Sequence, residues 1–358
     1  MDGPIVTILA VTAGITAALA VLLVVIKLIH RGVQHHRGLR TAYYVAAIGE
    51  MLSRQLLPSR PRQGWAEDPY FHEALADYRL MVTGKDREFV DDLIRLLGID
   101  DVLIRRTRVG RLRTVRLRAL SSLVDLATPA YRNVFLSMID DRNAHVRVNA
   151  VRGLARIGDV ASVPHILDLA TRVQQWEAAR TADALIEMGR PCVGPVIEWI
   201  ETERAKENPS VEVVGLAARL LGLIGENAAE PTLMSLLGSS VPEWRVAAAS
   251  ALEHAGTEAS VSPLRLALHD DDWRVRARAV VALGATADPD VVVEVAQLLT
   301  DRNWWVRQNA ATSLARLPGG TDCLFAALDS PDPYAADAAL NQLTTSGAIT
   351  ARTGATRS

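Results

Sequence analysis

A leucine returns eight times at the same place in a pattern of about 31 residues, and no other feature of the 358-residue chain constrains its fold as much. The copies can be counted from reference positions Arg116, Arg147, Ala178, Val214, Arg245, Arg276, Arg307 and Ala336, at intervals of 31, 31, 36, 31, 31, 31 and 29 residues. Seven residues after each stands a leucine: Leu123, Leu154, Leu185, Leu221, Leu252, Leu283, Leu314 and Leu343. Three residues after each stands an alanine, except in the third copy, which has Thr181. Positions three and seven share one face of an α-helix. The small residue admits a neighbouring helix and the leucine fills the space beside it, so every copy contributes one helix to a stack.

The ends of that helix are marked as well. Gly158, Gly189, Gly225, Gly256 and Gly347 fall at plus eleven, where a helix can close on a left-handed residue. Asn143, Ser210, Asp272, Asn303 and Asp332, at minus four, are residue types that cap the free amides of a helix start, each worth about 1 kcal/mol. A second helix follows in the copy, with Pro164, Pro195, Pro231 and Pro263 in its first turn. Such a hairpin cannot bury its apolar face alone and must stack on its neighbours. The expected fold is therefore all-α, a solenoid of about eight stacked hairpins over residues 105–347. A composition of 49% hydrophobic but only 5% aromatic residues suits close helix contacts built from alanine and leucine.

The pattern resembles HEAT repeats, of the short kind found in phycobilisome lyases. Asp141, Asp270 and Asp301 stand six residues before Arg147, Arg276 and Arg307, a spacing shared with HEAT families. The resemblance implies that these six residues form a ladder of hydrogen bonds between successive copies, and it implies little about function. The third and fourth copies depart from it, having Ala178 and Val214 in place of arginine and five extra residues within the charged segment 201–210. A longer exposed loop and an altered pitch are expected there. Residues 67–104 miss the template and read as N-terminal capping helices, and 348–358 as a disordered tail.

At the other end, residues 3–26 run for 24 residues without a charge, about 36 Å as a helix against a hydrocarbon core of about 30 Å. Asp2 precedes the run while Lys27, Arg31, Arg37 and Arg40 follow it. The positive-inside rule then puts the N-terminus outside and the solenoid in the cytoplasm. The expectation is a single-pass cell-membrane protein with its anchor in residues 1–30 and a juxtamembrane helix and linker in 31–66.

Chemistry is thinly advertised. Net charge is −2, which gives no global field to collect nucleic acid. The two cysteines, Cys192 and Cys323, have no metal-ligand spacing, and the histidines form no ligand set, so no metal and no cofactor are expected. No phosphate-cradling or nucleophile-elbow motif occurs. Two features remain. Trp176, Trp244, Trp273, Trp304 and Trp305 all fall between minus three and minus one, in the first turn of the first helix, where stacked copies would line them along one edge as a partner-binding ridge. The competing reading, preferred for the set, packs each ring over the preceding hairpin. Trp244 at minus one replaces the usual buried valine, whereas Trp304 at minus three is the ring most expected at the surface. The second feature is an arginine run, Arg105, Arg106, Arg108, Arg111 and Arg113, continuing to Arg116 and Arg118, which could face an anionic leaflet or an acidic partner, or simply be solvated. The combined expectation is a membrane-anchored scaffold, not an enzyme, that binds a protein. A lyase-like activity or a HEAT-like DNA-repair role are the alternatives.

Overall fold

A computed structural model describes Lys27, Arg31 and residues 34–58, 64–109 and 113–348. They form helices and connecting turns, with no strand among the described residues. The chain divides into two compact units, with the boundary after Val134.

In the first unit, helix α1 (34–54) is followed by α2 (Pro69–Met81), α3 (Lys85–Leu96), α4 (Ile99–Val109) and α5 (Arg113–Leu126). Asp68 starts α2 by accepting from the Tyr70 amide, with Pro69 in the first turn, and its carboxylate also accepts from the Tyr44 hydroxyl at 2.7 Å. Tyr44, Trp65 and Phe71 form an aromatic core, with ring centroids 4.8 to 5.7 Å apart. Arg79 is buried, and ties α2 to Asp91 of α3 at 2.7 Å and to the Leu126 carbonyl at the end of α5.

The short helix α6 (Arg132–Leu136) spans the boundary. In the second unit, first and second helices then alternate. The first helices are α7 (Ala144–Arg156), α9 (Gln175–Met188), α11 (Val211–Ile224), α13 (Pro242–Ala255), α15 (Trp273–Ala285), α17 (Trp304–Leu314) and α19 (Pro333–Thr345). The second helices are α8 (Val163–Ala170), α10 (Val193–Arg204), α12 (Glu230–Leu237), α14 (Val261–Ala267), α16 (Val292–Gln297) and α18 (Gly320–Ala327).

All eight repeat leucines are buried, Leu252 being the most exposed at 3%, and every plus-three residue, Thr181 included, lies in the core. Close approach depends on small residues. A Cβ built on Gly222 of α11 would lie 2.5 Å from the Ala251 Cα of α13, and one on Gly284 of α15 would lie 2.5 Å from the Ser313 Cβ of α17. The left-handed closure at plus eleven is present at Gly225 (φ 74°), and Gly158, Gly189 and Gly347 also have positive φ. Gly256 departs from it with φ −81°. Ala127 and Ala287, at the same repeat position, take φ 46° and 54° without glycine, a conformation that costs an L-residue roughly 1–2 kcal/mol.

The expected single-pass placement in a cell membrane is overturned. Among the described residues no helix is long and apolar enough to cross a bilayer. Helix 34–54, about 31 Å long, carries Arg37, Arg40, Glu50 and Arg54. The repeat helices reach at most 14 residues, about 21 Å. The apolar run 3–26, on which that placement rested, lies outside the described residues, as do Arg111 and the tail from residue 349.

Candidate functional site

The arginines at the reference positions join consecutive copies. Arg276 donates from Nη1 to the Asp270 carbonyl of its own copy at 2.8 Å, and from Nε and Nη2 to both oxygens of Asp301 in the next copy at 2.8 and 2.9 Å. Arg245 repeats this with the Ser239 carbonyl at 3.0 Å and with Asp270 at 2.7 and 2.8 Å. Each accepting aspartate also takes the amide two residues on, Asp272 for Asp270 and Asn303 for Asp301, and those residues in turn cap α15 and α17. A single rung therefore fixes a guanidinium, a carboxylate and a helix start together. Burial pushes both carboxyls up, yet the arginine and amide hydrogen bonds hold Asp270 and Asp301 below the usual carboxylate range. Arg147 donates to the Asp141 carbonyl at 2.7 Å, but its bidentate acceptor is Glu177 at 2.6 and 2.7 Å. Arg307 keeps the Asp301 carbonyl at 2.8 Å and lays its guanidinium 4.9 Å above the Tyr334 ring.

The ladder is interrupted at α9 and α11, where Ala178 and Val214 occupy the arginine positions. Ser210 makes no side-chain cap, and its amide instead donates to Glu203 in the inserted segment at 3.0 Å. A groove of about 460 Å³ opens there, lined by Ala170 of α8, by Thr171 and Val173 of the connection that follows, by residues of α9 and α11 and by Glu243 of α13.

The tryptophans separate into two kinds. Trp244 is 5% exposed, and its indole donates to the Val211 carbonyl at 3.1 Å, so it closes the α11/α13 core. Trp304 and Trp305 are 51% and 56% exposed and lie edge to face with centroids 4.6 Å apart. Trp176 and Trp273 are also surface rings, Trp176 lying tilted against the His145 ring with centroids 5.6 Å apart. Sequence reasoning missed Tyr334, exposed at minus two in the last copy; the position that singled out the tryptophans would have found it. The second unit thus carries Trp273, Trp304, Trp305 and Tyr334 in the first turns of three successive first helices, α15, α17 and α19. Such a surface can bury large apolar area against a partner while indole N–H and tyrosine O–H groups hydrogen bond.

The arginine run lies in the first unit, on α4 and α5, and is not one face of free cations. Arg106 donates to the Glu67 carbonyl at 3.1 Å and Arg116 to the Thr107 carbonyl at 3.0 Å, whereas Arg105, Arg108 and Arg113 are exposed. Among the described residues no group of three or more potential ligands is placed to hold a metal.

A family model described as HEAT repeats matches residues 101–186, 202–272 and 261–344. No curated protein matches the chain. Among solved structures, one in which Kap95p binding induces the switch loops of RanGDP to adopt the GTP-bound conformation is similar at 14% identity over 77% of this chain and 45% of that chain, with a TM-score of 0.50. An engineered protein is 19% identical over 76% of this chain and 88% of that one, with a TM-score of 0.38. Human deoxyhypusine hydroxylase in complex with glycerol is 21% identical over 68% and 94%, with a TM-score of 0.29. At these identities the likeness concerns fold alone.

Proposed function

The chain belongs to the HEAT-repeat family, and from that premise we propose that it is a non-catalytic scaffold whose last copies dock a protein partner on an exposed aromatic ridge. The observation that carries this reading is the Trp304 and Trp305 pair, more than half exposed on the first turn of α17, where neither ring serves the core. Large rings left in water are unfavourable for an isolated chain and are enriched at binding hot spots. Trp273 and Tyr334 extend the ridge on either side, and Trp176 adds a separate ring further along the solenoid. The buried ladder beneath holds the helix starts that present these rings, so the surface is formed before a partner arrives. Kap95p, which shares the fold, also acts by binding a protein.

The test places a photo-crosslinking amino acid at Trp304 in intact cells and identifies the captured protein by mass spectrometry. The double substitution Trp304→Ala, Trp305→Ala should abolish recovery of that protein on a tagged full chain while leaving the melting transition in place. Undiminished recovery, or a large loss of stability, contradicts the reading.

A further inference from the structure

Where the arginine ladder is interrupted, the first-helix surface holds charges of a different kind. Arg219 lies on α11 beside the groove between α9 and α11, on the same helix face as Glu212, Gly215 and Leu216, which also line it. No hydrogen bond or ion pair reaches its guanidinium from the described residues. By contrast Arg180, exposed on α9, pairs with Asp183 at 3.6 Å, and Arg274 on α15 pairs with Asp272 at 2.6 Å and Glu243 at 3.1 Å. Desolvation in the groove, followed by the charge of Arg278 on α15, depresses the Arg219 pKa although the residue as a whole is exposed. Arg278 is likewise exposed and unpaired among the described residues. Glu243 of α13 also lines the groove, but its carboxylate pairs with Arg274, so the Arg219 and Arg278 guanidiniums keep no hydrogen-bonded counter-ion among the described residues and favour an incoming anion.

The rest of the groove specifies what accompanies that anion. Ala170, Val173, Ala179 and Leu216 give it aliphatic walls, and Gln175 and Ser210 bring polar groups. Glu212 stands seven residues before Arg219, about 10 Å along the helix, and repels acid at its own end. An extended peptide of three or four residues spans that distance.

We propose that the groove between α9 and α11 binds a short aliphatic segment of a partner protein, with an aspartate or glutamate of that segment paired to Arg219 and its apolar side chains against Val173, Ala179 and Leu216. Glu212 fixes the direction, so the acid lies at the Arg219 end. The site is independent of the tryptophan ridge and stands or falls separately.

The probe is a library of acetylated, amidated hexapeptides panned on the immobilised full chain, with the best binders then titrated by fluorescence anisotropy. Selection should enrich glutamate or aspartate next to valine, leucine or isoleucine. Arg219→Gln should weaken the selected peptides about tenfold, the size expected for one lost hydrogen-bonded charge. Arg278→Gln should weaken them less, and replacing the peptide's glutamate by glutamine should equal the Arg219→Gln effect without adding to it. Ala179→Phe, at an exposed position, should block the groove and abolish binding while circular dichroism and the melting transition stay unchanged. Four outcomes overturn the proposal: no saturable binding, enrichment of basic or uncharged sequences, unchanged affinity in Arg219→Gln, or displacement of the peptides by inorganic phosphate with equal binding of phosphate alone.

Discussion

Two stretches of the same repeat array differ in how their copies are joined. Arg245 of α13 and Arg276 of α15 are each clamped to an aspartate of the next copy, and Arg276 and Asp301 are only 7% and 8% exposed. From α9 to α11 the arginine is absent and a groove stands between the helices. The leucine and small-residue stripe is equally buried in both: Leu185 and Leu221 are as inaccessible as Leu283 and Leu314. The hydrophobic stripe thus suffices to stack helices, and the polar rung decides how closely their starts are tied. Gly222 against Ala251 shows that α11 still packs tightly on α13 beyond the groove.

The comparison can be broken most forcefully at a rung. Arg276→Ala leaves the Asp301 carboxylate buried without its partner and should cost roughly 3–5 kcal/mol in urea unfolding. Acid should weaken the intact stretch selectively, by a smaller amount. Asp270 and Asp301 have folded pKa values below their unfolded ones, so their contribution is present above the unfolded value of about 3.9 and is lost as pH falls through the folded values. Between pH 5 and pH 2 the native chain should lose more stability than Arg276→Ala does, measured by unfolding at each pH. Ala287→Gly relieves a left-handed alanine at the end of α15 but adds unfolded-state entropy, leaving a net gain of about 0.5–1 kcal/mol by thermal unfolding. In the interrupted stretch, Arg219→Ala removes no bond and should change stability by less than about 0.5 kcal/mol in the same assay.

What was legible in the sequence follows from what is periodic. The plus-three and plus-seven stripe was readable because burial of one helix face repeats in every copy. The rung between Arg147 and Glu177 was not, because the acceptor comes from minus one of the next copy and stands in for an aspartate that would sit at minus six. Ala127 and Ala287 take the left-handed position that pattern assigns to glycine, since closure of the hairpin outweighs a local strain that composition alone argues against. Of the tryptophans, Trp244 could be separated from Trp304 by its register on the helix, but the edge-to-face pairing of Trp304 with Trp305 depends on side-chain geometry. The groove by α9 was invisible because it arises from a missing side chain and a lengthened connection. The membrane placement drew on a segment whose hydropathy has no counterpart among the described helices, and those helices overturn it.

Native-state hydrogen exchange on the full chain tests the central claim most directly, because rungs that tie helix starts should raise the free energy of local opening. The amides of the first turns of α15 and α17 should exchange far more slowly than those of α11, whose start no rung ties, and Arg276→Ala should bring α17 to the faster rate while Arg245 still holds α15. Equal protection along all these helices, or no change in the variant, would contradict the account.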